Sequence, residues 1–196
     1  AAFSGVSVGD EHGDIAVEQD GTCRVVNPVS TDESAEEFYQ YRSPDTEPYG
    51  YTYSSHGTVD YQQDDTSILL FHEGPNGTSL VIVHDRLAPQ GVNGTDGGVA
   101  SFEVAGLPTE GEWTVEDDDY DEQTDEFVHE GTESELHWVW ADNRTDGAAF
   151  TGVESASAIS IEPRFNEEAE IQSDDPRESG VISAWQAIDA TDGGFD

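Results

Sequence analysis

Lysine is missing from this chain of 196 residues, and its six positive charges are all carried by arginine. Cysteine is nearly missing as well: Cys23 is the only one, which excludes a disulfide within the chain. Because an apolar pair follows closely, we expect the Cys23 thiol to be buried as a small hydrophobe, with an interchain bridge as the alternative. No run of the sequence approaches about eighteen apolar residues, so no membrane-spanning helix is predicted.

Positive charge is scarce relative to negative charge. Asp and Glu number 44 against the six arginines, and the formal net charge is −38. Nucleic acids are bound by clustered Lys and Arg that replace counterions, and six dispersed arginines cannot form such a cluster. Anionic membrane surfaces repel the chain for the same reason. The composition therefore excludes nucleic acid as a partner, as well as direct contact with anionic lipid.

The excess of carboxylates also constrains the medium in which the chain folds. At ordinary salt a surface of this charge repels itself and opposes the compact state. Disorder would need few aromatic and apolar residues, but aromatics make up 10% of the chain, and apolar runs such as SILLF and LVIV recur. The remaining interpretation is a folded protein in molar salt, where the Debye length falls to about 3 Å.

This composition resembles that of extracellular proteins of extremely halophilic archaea, and the resemblance covers the whole chain. It implies a secreted, cell-surface protein, or a surface protein of a virus of such a host, because the same salt acts on both. The first residues, AAFSG, fit the mature start that remains when a signal peptide is cut after an Ala-x-Ala site. Surface glycans are an expected partner in that setting.

Short apolar runs of alternating polarity, separated by turn residues, predict an all-β protein. The turn signals are explicit, since GPNG divides two of the runs and Asp-Gly pairs follow others. One helix is predicted in STDESAEEFYQY, where Ser34 and Glu37 have the spacing of a capping box. The segment VISAWQAID fits either a short helix or a last strand. The candidate strands are residues 14–19, 22–27, 66–73, 78–85, 99–104, 112–117, 135–141, 148–153 and 158–163.

About nine strands with one short helix indicate an antiparallel β-sandwich. In VASFEVAGLPTEGEWTVEDDD, a strand, a Leu-Pro turn and a strand with an inward aromatic resemble the late-strand region of immunoglobulin-like and fibronectin-type folds. Leu107, Pro108 and Trp113 occupy those places. The resemblance implies an immunoglobulin-like fold and no activity. We expect residues 1–13 to form an N-terminal strand or arm, and residues 14–196 to form a single β-sandwich domain.

The acidic stretch TVEDDDYDEQTDEF has two interpretations. Asp117, Asp119 and Asp121 alternate at the end of a predicted strand and are the candidate ligands of a calcium ion. The stretch is not an EF-hand, because the positions that need Gly and Glu hold Glu122 and Val128. The alternative is a solvated loop, since carboxylates are dense throughout this chain. Calcium is the only cofactor that the sequence suggests.

No arrangement of residues predicts catalysis. The six histidines are scattered, without the His-x-His pair or the i, i+4 spacing of a helical zinc site. Gly-x-Ser-x-Gly and phosphate-binding loops are absent from the sequence, and Cys23 has no activating partner in sequence. We therefore interpret the chain as a protein that is not an enzyme.

Three Asn-x-Ser/Thr sequons lie in turn-like stretches and are candidate glycosylation sites, because an acceptor asparagine has to be exposed. They begin at Asn76, Asn93 and Asn143. The competing interpretation is chance, since Asn, Ser and Thr are common in loops.

Two segments are candidates for subunit contact. The N-terminal run contributes an apolar strand on a Gly-Asp tether, which either completes its own sheet or adds to a neighbour's. A tyrosine-rich segment alternates along one face, which suits a protein interface, a sugar-stacking platform or a local core. The residues concerned are Phe3, Val6 and Val8 in the first segment, and Tyr49, Tyr51 and Tyr53 in the second.

The leading hypothesis from the sequence is a structural or adhesive surface subunit of an extreme halophile. We expect it to associate with identical subunits and to polymerise by addition of the N-terminal strand. A carbohydrate-binding module and a surface protein of a halophile's virus are the alternatives.

Overall fold

The computed structural model describes residues 4–8, 15–41, 54–88, 96–117, 125–166, 178–191 and 193–195. In these ranges the chain forms β-strands, one α-helix and a short 3-10 helix. The strands are β1 (Ser4–Val8), β2 (Ile15–Gln19), β3 (Thr22–Val26), β4 (Val29–Ser30), β5 (Thr66–Gly74), β6 (Gly77–His84), β7 (Gly98–Ala105), β8 (Glu112–Asp117), β9 (Glu126–Glu130), β10 (Glu133–Trp140), β11 (Asp146–Thr151), β12 (Ile159–Phe165), β13 (Ala184–Asp189) and β14 (Gly193–Phe195). The α-helix is α1 (Ala35–Tyr39), and the 3-10 helix is Val153–Ser155.

The strands form two sheets that pack as an all-β sandwich. The first sheet has the order β3-β2-β1-β12-β7-β10-β9, and all of its neighbouring strands are antiparallel. The second sheet has the order β14-β13-β5-β6-β11-β8, and β4 adds to β5. The main core lies between the sheets and is rich in aromatic rings, with Phe102 and Trp138 of the first sheet packed edge to face. The predicted sandwich is confirmed.

Each of the nine predicted strands is present. The segment that fitted either a helix or a strand forms β13, which pairs in parallel with β5. The strands that the sequence did not indicate are β4, β9 and β14, which are short or heavily acidic and therefore show little alternation. β1 lies within the predicted N-terminal arm and pairs with β2 on one side and β12 on the other, in the same chain.

The central strands of the second sheet, β5 and β6, are buried on both faces, which explains their continuous apolar runs. One face contributes to the main core. The other face packs against α1, whose Phe38 and Tyr39 contact a second cluster that includes Ile68, Leu70 and Val81. A strand covered on both faces needs apolar side chains at successive positions instead of alternate ones.

The predicted capping box is confirmed at the start of α1. The backbone N–H of Glu37 donates to Ser34 Oγ at 3.3 Å, and the backbone N–H of Ser34 donates to the Glu37 carboxylate at 2.9 Å. These bonds to Ser34 lower the pKa of Glu37. Gln40, with a left-handed φ of 54°, ends the helix after little more than one turn.

The first sheet is covered on its inner face, while its outer face carries polar side chains and one buried apolar pair, Val99 and Val139. Along β12, buried residues such as Ile159 and Ile161 alternate with partly exposed ones such as Glu162. This alternation is the pattern of an antiparallel sheet with one face toward solvent. On the outer face, the strand register therefore determines which charged side chains of neighbouring strands lie opposite one another.

The prediction that Cys23 is buried is wrong. The Cys23 thiol is exposed on β3, the edge strand, where it lies opposite Glu18 of β2. Its neighbour Arg24 lies opposite the buried Val17, so Cys23 is on the outer side of the sheet. The outer side of the first sheet is exposed at β3, so the residues of this run that point outward are not buried.

Candidate functional site

Three glutamates form a line across the outer face of the first sheet. Glu103 of β7 lies directly opposite Glu162 of β12 on one side and Glu135 of β10 on the other. Directly opposed side chains in a sheet have their Cβ atoms about 5 Å apart. We call these three residues the carboxylate row. Like charges in this relationship destabilise a sheet unless counterions or a basic residue screen them.

A row of hydrogen-bonding residues lies beside the carboxylate row. Ser101 is opposite both His137 and Arg164, and its hydroxyl is 2.8 Å from Nδ1 of His137. The Arg164 guanidinium forms an ion pair with the Glu103 carboxylate. One arginine thus neutralises part of the charge of the row, because it extends from the neighbouring row on the same face.

The two rows border a shallow cavity of about 290 Å³, which we call the outer cavity. It offers carboxylate acceptors next to a guanidinium donor and an imidazole, which suits a neutral polar ligand that both donates and accepts hydrogen bonds. A second cavity of about 220 Å³ adjoins it along the same strands. The residues that line the outer cavity are Ser101, Phe102, Glu103, Glu135, His137 and Arg164.

The predicted calcium ligands are only partly within the described residues. Asp117 ends β8, and its side chain is fully buried, where Oδ2 accepts a hydrogen bond of 2.9 Å from the Tyr39 hydroxyl. Asp119 and Asp121 lie outside the described residues. Within the ranges that the structure describes, no three His, Cys, Asp or Glu side chains are grouped closely enough to hold a metal ion.

A buried polar cluster that the sequence did not reveal lies at the end of β6. His84 is fully buried, stacked on the Trp140 ring at 5.1 Å between centroids, and its Nδ1 is 2.6 Å from Ser67 Oγ. Burial lowers the pKa of His84 to about 3, so the imidazole is neutral at neutral pH. Beside it, the Trp140 indole N–H donates to Asp85 at 3.1 Å. The only sequence signal was a polar pair at the end of an apolar strand.

Another hydrogen-bonded chain joins the two sheets. The Trp113 indole N–H donates to Ser134 Oγ at 2.9 Å, Ser134 Oγ is 2.8 Å from Nδ1 of His129, and Nε2 of His129 contacts the Glu116 carboxylate. The order of residues is that of a serine–histidine–acid relay. Ser134 is only 4% exposed, and its oxygen accepts the indole N–H, so this chain fastens β8 to β9 and β10 and does not present a nucleophile.

The sequons differ in accessibility. Asn76 is exposed in the tight turn between β5 and β6, as the GPNG motif predicted. Asn143 is partly buried, and its Nδ2, the atom to which a glycan is attached, donates to Asp142 at 3.2 Å. Asn93 lies outside the described residues.

The candidate contact residues are mostly beyond the described part of the chain. Val6 and Val8 belong to β1, whose backbone pairs with β2 and β12. The others, Phe3, Tyr49, Tyr51 and Tyr53, lie outside the described residues.

Comparison with protein-family models, with curated proteins and with solved structures finds no match to this chain. Among the described residues, no helix has the length and apolar character to cross a membrane.

Proposed function

We propose that this chain is a non-enzymatic structural or adhesive subunit on the surface of an extreme halophile, where it associates with copies of itself. The observation that carries the proposal is the carboxylate row. Three directly opposed glutamates share one arginine, and such a row is stable where concentrated cations screen neighbouring carboxylates. The net charge of −38 without any lysine supports the same medium, because the chain repels itself where salt is dilute.

A surface role is supported by how the two sheets divide their faces. The central strands of the second sheet are apolar on both faces, while the first sheet turns a face with many polar side chains outward. The exposed Asn76 sequon suits a glycan on the extracellular side. A surface protein of a halophile's virus would have the same features, because the same salt acts on it.

Polymerisation by the N-terminal strand is part of this proposal, and the position of β1 is what supports it. This strand makes backbone pairs on both sides, and β2 and β3 connect to the rest of the first sheet through it. A neighbouring subunit's β1 in the same place would make the same pairs. If each copy donates its strand to the next, the contact does not close and a filament forms.

Light scattering after size-exclusion chromatography in 3 M NaCl tests this proposal, with the intact chain compared with a chain that lacks residues 1–9. We expect the intact chain to form assemblies whose mass rises with concentration, and the shortened chain to stay folded but lose mass. An intact chain that is monomeric at every concentration would contradict self-association. A shortened chain that unfolds, or assembles as before, would place β1 in its own subunit.

A carbohydrate-binding module is the second candidate, favoured by the mixed donors and acceptors of the outer cavity. A flat row of exposed tryptophan or tyrosine would favour it further. Within the described ranges the large exposed apolar side chains are all valines, so that support is lacking. Binding of neutral oligosaccharides in 3 M NaCl, lost in Arg164→Ala and retained in Arg86→Ala, would establish this alternative. Arg86 is a suitable control because its ion pair with Asp64 lies outside the outer cavity.

A further inference from the structure

The edge strands of the sandwich differ sharply in charge. Within the described residues, the two sheets end in β3, β9, β14 and β8. Natural proteins protect sheet edges with charge or with short strands. β8 and β9 carry acidic residues, and β14 is three residues long between Asp192 and Asp196 in the sequence. β3 carries no acidic residue: residues 21–31 contain no Asp or Glu, and the single charged residue of β3 is Arg24, on the inner side of the sheet.

The two edges of the first sheet also share an exposed apolar residue on the same face. Val25 of β3 is 58% exposed and Val128 of β9 is 43% exposed, and both belong to the small set of large apolar side chains exposed in the described residues. Val25 is next to Arg24, which lies opposite the core residue Val17, so Val25 is on the outer side. Val128 lies opposite Glu135 of the carboxylate row and is therefore on the outer side as well.

The antiparallel pairing of the first sheet fixes the relative direction of its edges. Seven strands that alternate in direction place β3 and β9 parallel to one another. A second copy that keeps its outer face on the same side can therefore extend this sheet by a parallel pair of β3 and β9. This pairing also avoids the two neighbouring Arg24 side chains that β3 with β3 would bring together, and it leaves Arg24 and the glutamates of β9 on opposite faces.

We propose that β3 of one copy adds to β9 of the next, so that the first sheet continues from subunit to subunit. The occupant of the β3 edge is thus a second copy of this chain, and the register is the one that places Val25 beside Val128. In that register Cys23 lies beside Glu126 on the outer side, and Arg24 lies beside Phe127 on the inner side. A guanidinium against an aromatic ring is a favourable contact.

This contact is heterologous and does not close on itself, so it extends an assembly in one direction. It rests on the proposed function in one respect, namely that the chain meets copies of itself in molar salt. It differs from the exchange of β1, which lies two strands inside the same sheet. The two contacts can therefore be removed separately.

The single native cysteine provides a direct test. The variants are Glu126→Cys, which has a thiol at each edge of the first sheet, and Cys23→Ser with Glu126→Cys, which has one thiol. Wild type, with Cys23 alone, is the other one-thiol protein. Each is oxidised with air and copper in 3 M NaCl and run on a denaturing gel without reductant. We expect a ladder of dimers, trimers and higher species from Glu126→Cys, and monomers from both one-thiol proteins.

A matched control moves the new thiol to another edge. Glu112→Cys introduces it on the exposed edge strand of the second sheet, and we expect no ladder from it. Crosslinked dimers of wild type would overturn the proposal in favour of β3 paired with β3. An equally strong ladder from Glu112→Cys would show that the thiols crosslink in random collisions, without a defined pairing of strands, and would also overturn the proposal.

Light scattering on the same samples separates this inference from the proposed function. Assembly of Glu126→Cys without any ladder means that the chain self-associates through another surface, and the β3–β9 contact is then wrong while the proposed function stands. A wild-type chain that never assembles overturns both.

A second variant, Val25→Asp, places a carboxylate beside Val128 and the glutamates of β9. We expect it to leave the fold intact, because Val25 is exposed, and to lower the assembled mass at least severalfold.

Discussion

The Tyr39 hydroxyl donates a hydrogen bond of 2.9 Å to Oδ2 of Asp117, and both side chains are fully buried. This bond connects α1 to the end of β8 and so joins the helix to the second sheet. A buried carboxylate is stable only when hydrogen-bond donors replace its water. Asp117, the first of the three predicted calcium ligands, therefore has a structural role.

Replacing Tyr39 by Phe should destabilise the protein by about 2 kcal/mol, because hydrogen bonds to charged groups contribute about 1.5–3 kcal/mol and the carboxylate stays buried. Urea unfolding in 3 M NaCl measures the loss. Tyr61→Phe is the matched control, since Tyr61 is a partly buried tyrosine that packs near Phe38. We expect that control to change stability by less than about 0.5 kcal/mol. Equal stability of Tyr39→Phe and wild type would show that the bond contributes nothing.

The same bond changes how the predicted calcium site has to be tested. We propose that a bound calcium ion is held by Asp117, Asp119 and Asp121, but Asp117 also holds α1 through Tyr39. Replacing all three would mix loss of binding with loss of stability. The double variant Asp119→Asn with Asp121→Asn avoids this problem. It should lower calcium affinity at least tenfold in a calorimetric titration and leave calcium-free stability unchanged. Wild-type affinity in the double variant would remove the assignment.

Local features of the fold were predictable from the sequence, and pairings between distant strands were not. Ser34 and Glu37 are three residues apart, so their capping box could be read from the sequence, as could the turn at Asn76. The ion pair of Arg164 with Glu103 joins β12 to β7, 61 residues apart in sequence number, and depends on a register that no local pattern specifies. The exposure of Cys23 likewise depends on which strand ends the sheet.

We propose that folding needs concentrated salt, and removing charge from the carboxylate row should then reduce the amount that is needed. Glu135→Gln with Glu162→Gln leaves the Arg164–Glu103 pair intact and removes both neighbours of Glu103. Directly opposed like charges cost about 0.2–1 kcal/mol each, so we expect about 1 kcal/mol of added stability at 0.5 M NaCl and almost none at 3 M.

Circular dichroism during a titration from 3 M to 0.1 M NaCl measures this effect as a lower salt midpoint. Glu110→Gln, in the exposed turn before β8, is the single-charge control and should shift the midpoint less. A wild-type spectrum that is unchanged at 0.1 M NaCl would contradict the requirement for screening. If the control and the row variant shift the salt midpoint equally per charge removed, then overall charge determines the effect and the opposed geometry does not.

Asp189 contacts the chain where it passes from β3 of the first sheet to β4 of the second, at Asn27. Its carboxylate accepts hydrogen bonds from the hydroxyl and backbone N–H of Thr191, at 2.6 and 2.7 Å, and from the Asn27 amide. The Thr191 hydroxyl, followed by the other donors, lowers the pKa of Asp189 to about 2. The stabilisation is therefore present above the ordinary carboxyl pKa of 3.8 and is lost as the pH falls from there toward 2.

Asn27→Ala should destabilise the protein by about 1 kcal/mol at pH 7, since it removes the side-chain amide that reaches Asp189 and leaves the Thr191 donors in place. Urea unfolding at pH 7 measures the loss. Asp189→Asn should cost at least as much at pH 7, because every hydrogen bond to the carboxylate then loses its charge. At pH 2 the difference between wild type and Asp189→Asn should shrink, and a difference that stays constant between pH 7 and pH 2 would contradict the lowered pKa.

His84 should make the stability of the protein depend on pH near neutrality. Burial lowers its pKa from 6.5 to about 3, so between these values the unfolded chain binds a proton that the folded chain does not. The free energy of unfolding is therefore unaffected by His84 above about pH 7. It falls by about 1.4 kcal/mol per pH unit as the pH drops below 6.5. Urea unfolding in 3 M NaCl between pH 7.5 and 5 should show this slope.

Ser67→Ala with His84→Phe removes the imidazole and the hydroxyl that would otherwise lose its partner, and it should flatten the slope by that amount. Ser67→Ala alone keeps His84 and should keep the slope. His72, whose pKa is lowered chiefly by burial, remains in every variant and accounts for a residual slope. If the double variant and Ser67→Ala have the same slope, His84 takes up its proton in the folded state, and its packing against Trp138 and Trp140 has to open for that to happen.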